Sequence, residues 1–349
     1  MFDLMFSGDL SILVRSFLAF CSSFAFVIWS IPKLIDYQRK KDISQPIRDF
    51  GPEHSAKKGT PSMGGVAIIF SILASTILWS NLSSSFVHAL IFAAISFGLI
   101  GLFDDLTKIS LKNYAGITAK IKFFLQLFFA VIIYFIVENN FEGDIATKVV
   151  IPFFKSLTIN LGFFYILFIL FLIVGSSNAV NLTDGLDGLA SFPVFICTFS
   201  FIIVAFFVSD TNLAEKVNMF HVMESAEIIP VCSAVCAACL GFLWFNAKPA
   251  SIMMGDVGSL SLGALVATMA FILKQEILLA FFGMVFVIET MSVIIQVLYF
   301  KKTGGKRLFL MSPIHHHFEK KGWEEGKIVV RFWMLSILGA VLGMYLFFS

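Results

Sequence analysis

Charge is what this sequence has least of. Asp, Glu, Lys and Arg make up 14% of its 349 residues, where a soluble domain carries about 25%. So few charges cannot cover the water-facing surface of a chain this long, which excludes an ordinary soluble globular protein. Charge of one sign is equally scarce: the net formal charge is +2, and no nucleic-acid partner is implied. Cysteine is sparse and odd in number. The five cysteines do not form two C-x-x-C pairs. Cys232, Cys236 and Cys239 fall on one helix face inside an apolar run, where free cysteine acts as a small apolar filler rather than a ligand. A cleavable signal peptide is not expected either. The first apolar stretch is too long and lacks a small-residue cleavage site.

What the chain does have is apolar bulk. Hydrophobic residues make up 58% of it, 43 are Phe, and the mean hydropathy is +0.91. A bilayer core needs roughly 20 apolar residues in helical form, and backbone groups in lipid can be satisfied only internally. The pattern predicts an all-α polytopic integral membrane protein, a single transmembrane domain over 1–349. About ten spans are expected, near 11–35, 62–81, 86–103, 120–137, 161–182, 190–209, 228–246, 259–273, 277–299 and 328–348. The eighth is the shortest and is expected to tilt or thin the bilayer. The 138–160 segment reads as an external loop able to form a hairpin. Lys and Arg divide 19 to 4 between the two sets of loops, so the positive-inside rule puts the Lys-rich loops in the cytoplasm and both termini outside it. The site-bearing cytoplasmic loops are expected at about 36–61, 104–119, 183–189, 247–258 and 300–327.

The unusual polar clusters all fall on that Lys-rich side, where unrelated decoration would scatter. Gly51 to Gly65 combines turn formers, hydroxyls, Lys57, Lys58 and a glycine pair before a helix, a setting suited to an anion. Asp104 and Asp105 are adjacent carboxylates at the expected end of the third span. There they repel one another and oppose the helix dipole unless a cation or proton compensates. Asn178, Asn181, Asp184 and Asp187 recur every third residue. Three such steps turn a straight helix through about 180°, so Gly185 and Gly188 are expected to break it and aim the carboxylates inward. Gly255-Asp256-Val257-Gly258-Ser259 leads into the eighth span. Ser259 is the expected N-cap, and Asp256 can offer an oxygen to a hard metal. Ser312 to Glu319 carries His315, His316 and His317. Zinc would want Cys or spaced His, and the surrounding carboxylates suit Mg²⁺ better, so these histidines read as phosphate or sugar contacts. His88 and His221 are isolated and read as structural. Glu289, Ser292 and Gln296, inside the ninth span, read as packing or helix-end groups, although an intramembrane acid is a functional candidate by default.

Carboxylates with Mg²⁺, cationic loops and His at a membrane surface point to phosphate chemistry between a lipid and a soluble nucleotide. The five clusters together resemble the phospho-N-acetylmuramoyl-pentapeptide-transferase family, within the wider polyprenyl-phosphate sugar-1-phosphate transferases, over essentially the whole chain. The Asp pair and the Asn-Leu-Thr-Asp-Gly-Leu-Asp-Gly segment are shared widely. The His-Ser-Ala-Lys-Lys-Gly-Thr-Pro and triple-His loops are more specific. Ser62 stands where the family often has Thr, and the hydroxyl is kept. The resemblance implies transfer of phospho-N-acetylmuramoyl-pentapeptide from its UDP-linked donor to undecaprenyl phosphate, releasing UMP, with Mg²⁺ as cofactor. It implies the bacterial inner membrane, membrane lipid around the protein, and a homodimer. Asp104, Asp105, Asp256 and His315 are the implied catalytic residues, with Asp256 the metal ligand. Lys57, Lys120, Asn181, Asp184, Asp187, Asn246 and His316 are the implied substrate-binding residues. Lys57, Asp184, Asp187 and Asn246 fall on the nucleotide side, and Lys120 and His315 on the diphosphate. A related N-acetylhexosamine-1-phosphate transferase is the near alternative, and should lack the triple-His loop. A transporter is the distant one, and should carry its acids at mid-bilayer.

Overall fold

A computed structural model describes residues 11–41, 59–111, 116–141, 143–155 and 157–349. Among the described residues the fold is all-α apart from one small hairpin. Its helices are α1 Ile12–Lys40, α2 Gly65–Trp79, α3 Ser85–Ser110, α4 Ala119–Glu138, α5 Phe164–Thr183, α6 Ser191–Val208, α7 Thr211–Lys216, α8 Ile228–Asn246, α9 Gly255–Ile272, α10 Leu278–Phe282, α11 Met284–Lys302, α12 Ile314–Lys320 and α13 Glu325–Phe348. Strands β1 Lys148–Val150 and β2 Thr158–Asn160 pair antiparallel with Val149 opposite Ile159, the hairpin expected between the fourth and fifth spans.

Among the described residues nine helices are long and apolar enough to cross a membrane, and α2 is a tenth, shorter one. A helix lies at each of the ten expected spans, but the short one is misplaced in the sequence reading. The helix expected at 259–273 starts at Gly255 and has 18 residues, whereas α2 has only 15, about 22 Å at 1.5 Å per residue. The segment expected as one span from 277 is split. Gly283 separates the five-residue α10 from α11.

α9 is the hub. All of its residues except Asp256 are buried, and it packs against α2, α3, α5 and α6. Small residues make this possible. A Cβ on Gly65 would overlap the Gly258 backbone, and one on Gly263 would overlap the backbone of Ser176 and Ser177. Around this centre the outer helices turn apolar side chains outward, such as Phe124 and Phe128 on α4 and Met334, Leu338 and Val341 on α13. That is the surface lipid requires.

At the C-terminal end of α9 the cations are consumed internally. Lys274 is fully buried and donates to Tyr165 Oη at 2.6 Å and the Ala146 carbonyl at 3.1 Å, with Glu276 3.6 Å away. Lys155 donates to the Val217 and Phe347 carbonyls at 2.9 and 2.7 Å. Two of the four cations in the Lys-poor loops are therefore structural ties. At the other end of α9, Lys108 and Lys122 pair with carboxylates at the first turn of the helix.

Candidate active site

The expected active residues start from α3. The helix does not end at Asp104-Asp105 but runs on to Ser110, so the pair lies within it and the loop expected from 104 begins only after Ser110. The reason is local. Lys108 stands one turn on from Asp104 and Asp105, at the i+4 and i+3 spacings that favour opposite charges. It compensates the carboxylates that a helix end would have left repelling each other. Asp104 and Asp105 are almost wholly buried.

α9 supplies the third carboxylate. Its helix begins four residues earlier than the sequence reading placed it, so Asp256 is in its first turn and Ser259 is not the N-cap. The N-cap position is Met254, and Ser259 Oγ donates back to the Gly255 carbonyl at 3.0 Å. An acid in the first turn of a helix is where the dipole favours one. Ligand atoms of Asp104, Asp105 and Asp256 all lie within 4.8 Å of one another. The close approach depends on Gly101, where a Cβ would overlap the carbonyl of Asp256 and the Val257 nitrogen.

Two lysines enter the same space. Lys108 Nζ lies 2.6 Å from Asp104, 3.1 Å from Asp256 and 3.6 Å from Asp105. Lys122 Nζ lies 2.6 Å from Asp256 and 3.3 Å from Asp104. Asn181 Nδ2 donates to Asp256 Oδ1 at 3.0 Å and to Ser259 Oγ at 2.8 Å. The backbone N–H groups of Ile117 and Val257 donate to Asp104 Oδ1 at 2.9 Å and Asp105 Oδ2 at 3.2 Å. Three carboxylates thus face two ammonium groups, and the cluster keeps an excess of negative charge. An all-oxygen donor set of this kind fits a hard divalent cation.

Sequence reasoning missed both lysines and chose Lys120 instead. Lys120 is exposed on the first turn of α4. The signal was present, because the buried side chains of α4 include Gln126, Ala130, Ile133 and Val137. Extending that stripe back by one turn reaches Lys122, not Lys120.

A second group of expected residues gathers beneath the turn that follows α5. The helix ends at Thr183 with Asp184 as its C-cap, so the break expected at the glycines is present. Asp187 Oδ2 accepts from the Ala250 N–H at 3.0 Å, and the Asp187 N–H donates to Glu325 Oε1 at 3.0 Å. Asn246 Oδ1 accepts from the Gly188 N–H at 2.9 Å, while its Nδ2 donates to the Ile252 carbonyl at 2.9 Å. Asp187 and Asn246 are both buried and brace the 184–188 and 247–252 turns against each other. Asn178 donates instead to Gln126 Oε1 at 2.9 Å and to the Val174 carbonyl at 2.8 Å.

The triple-His segment is a helix, α12, rather than an open loop. His315 is fully buried, with Nδ1 3.0 Å from Glu289 Oε2 on α11. Glu289 is therefore not simply a packing group. His316 is half-buried and pairs with Glu319 at 2.6 Å. His317 Nδ1 accepts from the Leu310 N–H at 3.1 Å. Lys57, with the rest of 51–58, lies outside the described residues.

Residues 87–274 match the model of the family described as glycosyl transferase family 4, and residues 57–69 match phospho-N-acetylmuramoyl-pentapeptide-transferase signature 1. The chain is 46% identical over 344 residues to a phospho-N-acetylmuramoyl-pentapeptide-transferase of Orientia tsutsugamushi (strain Ikeda), covering 97% of this chain and 95% of the relative. It is 45% identical over 332 residues to one of Rickettsia prowazekii (strain Madrid E), covering 95% and 92%.

Proposed function

The chain belongs to the phospho-N-acetylmuramoyl-pentapeptide-transferase family, and on that premise we propose that it transfers phospho-N-acetylmuramoyl-pentapeptide from its UDP-linked donor to undecaprenyl phosphate, releasing UMP. The observation that carries this reading is the cluster of Asp104, Asp105 and Asp256 beside Lys108 and Lys122. It lies in the last third of α3 and the first turn of α9, not midway along the spans as a transporter would need. In this reading the five loop regions line the cytoplasmic face of the inner membrane, and the chain works as a homodimer. The triple-His helix favours the muramoyl-pentapeptide donor over UDP-N-acetylglucosamine.

Asp256, with Asp104 and Asp105, would hold Mg²⁺, which when bound neutralises phosphate charge and polarises a P–O bond. Lys108 and Lys122 are poised to leave these carboxylates for the donor's diphosphate. Lys57, Asp184, Asp187 and Asn246 shape the nucleotide side, Asn181 holds Asp256 through its hydrogen bond, and Lys120 and His316 complete the substrate contacts, whereas His315 is fully buried against Glu289. The acceptor's phosphate has a second pKa near 6 and is already largely dianionic at neutral pH, so it needs little help from a base. Asp104 and Asp105 each accept a backbone N–H and face Lys108, which suits orientation better than attack. Direct in-line displacement by the lipid phosphate follows, with catalysis mainly by positioning and electrostatics.

The test is UMP release by the purified protein. Release should require Mg²⁺, the muramoyl-pentapeptide donor and lipid phosphate together, and should not occur with UDP-N-acetylglucosamine. Protein freed of lipid phosphate and given donor labelled in its sugar phosphate should show no stoichiometric burst of UMP and retain no label. Absence of UMP under complete conditions would overturn the reaction. A burst with label on Asp104 or Asp105, chased by added lipid, would overturn the single displacement.

A further inference from the structure

Glu289 and His315 form a buried couple that the chemistry above does not use. Both side chains are fully buried, one on α11 and the other on α12. The Nδ1 to Oε2 distance is 3.0 Å. Among the described residues neither carboxylate oxygen and neither ring nitrogen has a hydrogen-bond partner beyond this pairing. A carboxylate in an apolar span is expensive, and among the described residues His315 is the group that faces it. An apolar cluster lies beside the couple: Val285 is one turn before Glu289, Ile314 directly precedes His315, and both pack with Leu186 and Leu189.

The other edge of the imidazole identifies what the couple touches. His315 Nε2 is packed so tightly against Gly185 that a Cβ there would overlap the ring. Gly185 belongs to the Asp184–Gly188 turn, whose Asp187 is braced by Ala250 and whose Gly188 is braced by Asn246. The ring thus turns Nδ1 to the carboxylate and Nε2 to the turn. A line of contact therefore runs from Glu289 through His315 to the turn that carries Asp184 and Asp187.

We propose that Glu289 is a positioning residue for the transfer reaction: it fixes the His315 imidazole against Gly185 and so holds the Asp184–Gly188 turn in the form that receives the nucleotide end of the donor. This rests on the reaction proposed above. It assigns His315 an indirect role, since a fully buried ring braced by Glu289 does not face the diphosphate.

The test is a set of variants of the full chain in nanodiscs: Glu289→Leu, Glu289→Gln, Gly185→Ala and His315→Ala, with each Glu289 and Gly185 change repeated in the His315→Ala background. Loss of a group that orients a metal-bound histidine typically costs about 10–100-fold, and the same scale is taken for the orientation of His315. Glu289→Leu should accordingly raise the donor KM at least about tenfold, with the lipid KM within about twofold. Glu289→Gln can still accept from Nδ1 and should recover most of the loss. In the His315→Ala background neither Glu289→Leu nor Gly185→Ala should cost anything further. Additive effects, an equal rise in the lipid KM, or Gln no better than Leu would each overturn the inference. Amide exchange at 184–188 should be faster in Glu289→Leu and in Gly185→Ala than in the parent protein, and unchanged exchange in both would also overturn it. The exchange measurement does not depend on turnover. If the unmodified protein releases no UMP, the proposed reaction fails, while exchange still decides the role of Glu289.

Discussion

Asp256→Asn is expected to lower turnover by about two to three orders of magnitude, the scale set by removing one preorganised electrostatic group, while leaving the thermal midpoint near its starting value. The geometry gives both halves of that expectation. Asp256 Oδ1 accepts from Asn181 and faces Lys108, and Oδ2 faces Lys122. An asparagine has one acceptor oxygen for these three donors, so its own NH₂ must point at a lysine or at Asn181. The cluster also loses its excess negative charge, because two carboxylates would then balance two ammonium groups. A divalent cation has little reason to enter a neutral site, so the apparent Mg²⁺ requirement should rise steeply as well. Stability is nearly indifferent for the same reason. Removing one acid from a set with an acid in excess leaves no buried charge unpaired, unlike the loss of one partner from a balanced buried pair, which costs about 3–5 kcal/mol. The measurement is UMP release across Mg²⁺ concentrations, beside thermal unfolding of the same preparation. Near-normal turnover at ordinary Mg²⁺ would remove Asp256 from the metal site.

The spans and the acidic residues were legible in the sequence, because both are written in composition over short windows. Twenty apolar residues in a row have one reading in lipid, and two adjacent aspartates at a span end are conspicuous against 14% charge. What was lost is the register at helix ends. Asp104-Asp105 looked terminal because hydropathy falls there, yet Lys108 carries α3 on to Ser110. Ser259 looked like an N-cap, yet α9 begins at Gly255 because its first turn is packed into the protein rather than set in a loop. Lys122 was passed over for Lys120 because both are lysines in one short stretch, and only the buried stripe of α4 separates them. The Glu289–His315 pairing was not readable at all. The partners are 26 positions apart on two different helices, and no periodicity within either points to the other.

Gly101→Ala is expected to destabilise the protein and to depress turnover by about 10²-fold, the cost of misplacing reacting groups by roughly 1 Å. Helix propensity alone argues the opposite, since alanine in a helix interior is worth about 1 kcal/mol over glycine. Packing decides the sign. The Cβ would overlap the carbonyl carbon and oxygen of Asp256 and the nitrogen of Val257. These are main-chain atoms in the first turn of a buried helix, so no rotamer change can relieve the contact. Overpacking of this kind costs about 1–3 kcal/mol or more, which exceeds the propensity gain. Relief comes only by moving α3 and α9 apart, and that motion separates Asp104 and Asp105 from Asp256. Two other glycines bracket the effect. At Gly98 the Cβ would meet the tip of the Ile69 side chain, which can rotate away, and at Gly175 it would meet nothing within 4 Å. Gly98→Ala should therefore lose little activity. Gly175→Ala should be fully active, with stability unchanged or raised by about 0.5–1 kcal/mol. Thermal unfolding and UMP release on the three variants decide the matter. If Gly101→Ala behaves like Gly175→Ala, the contact between these two helices does not set the spacing of the carboxylates.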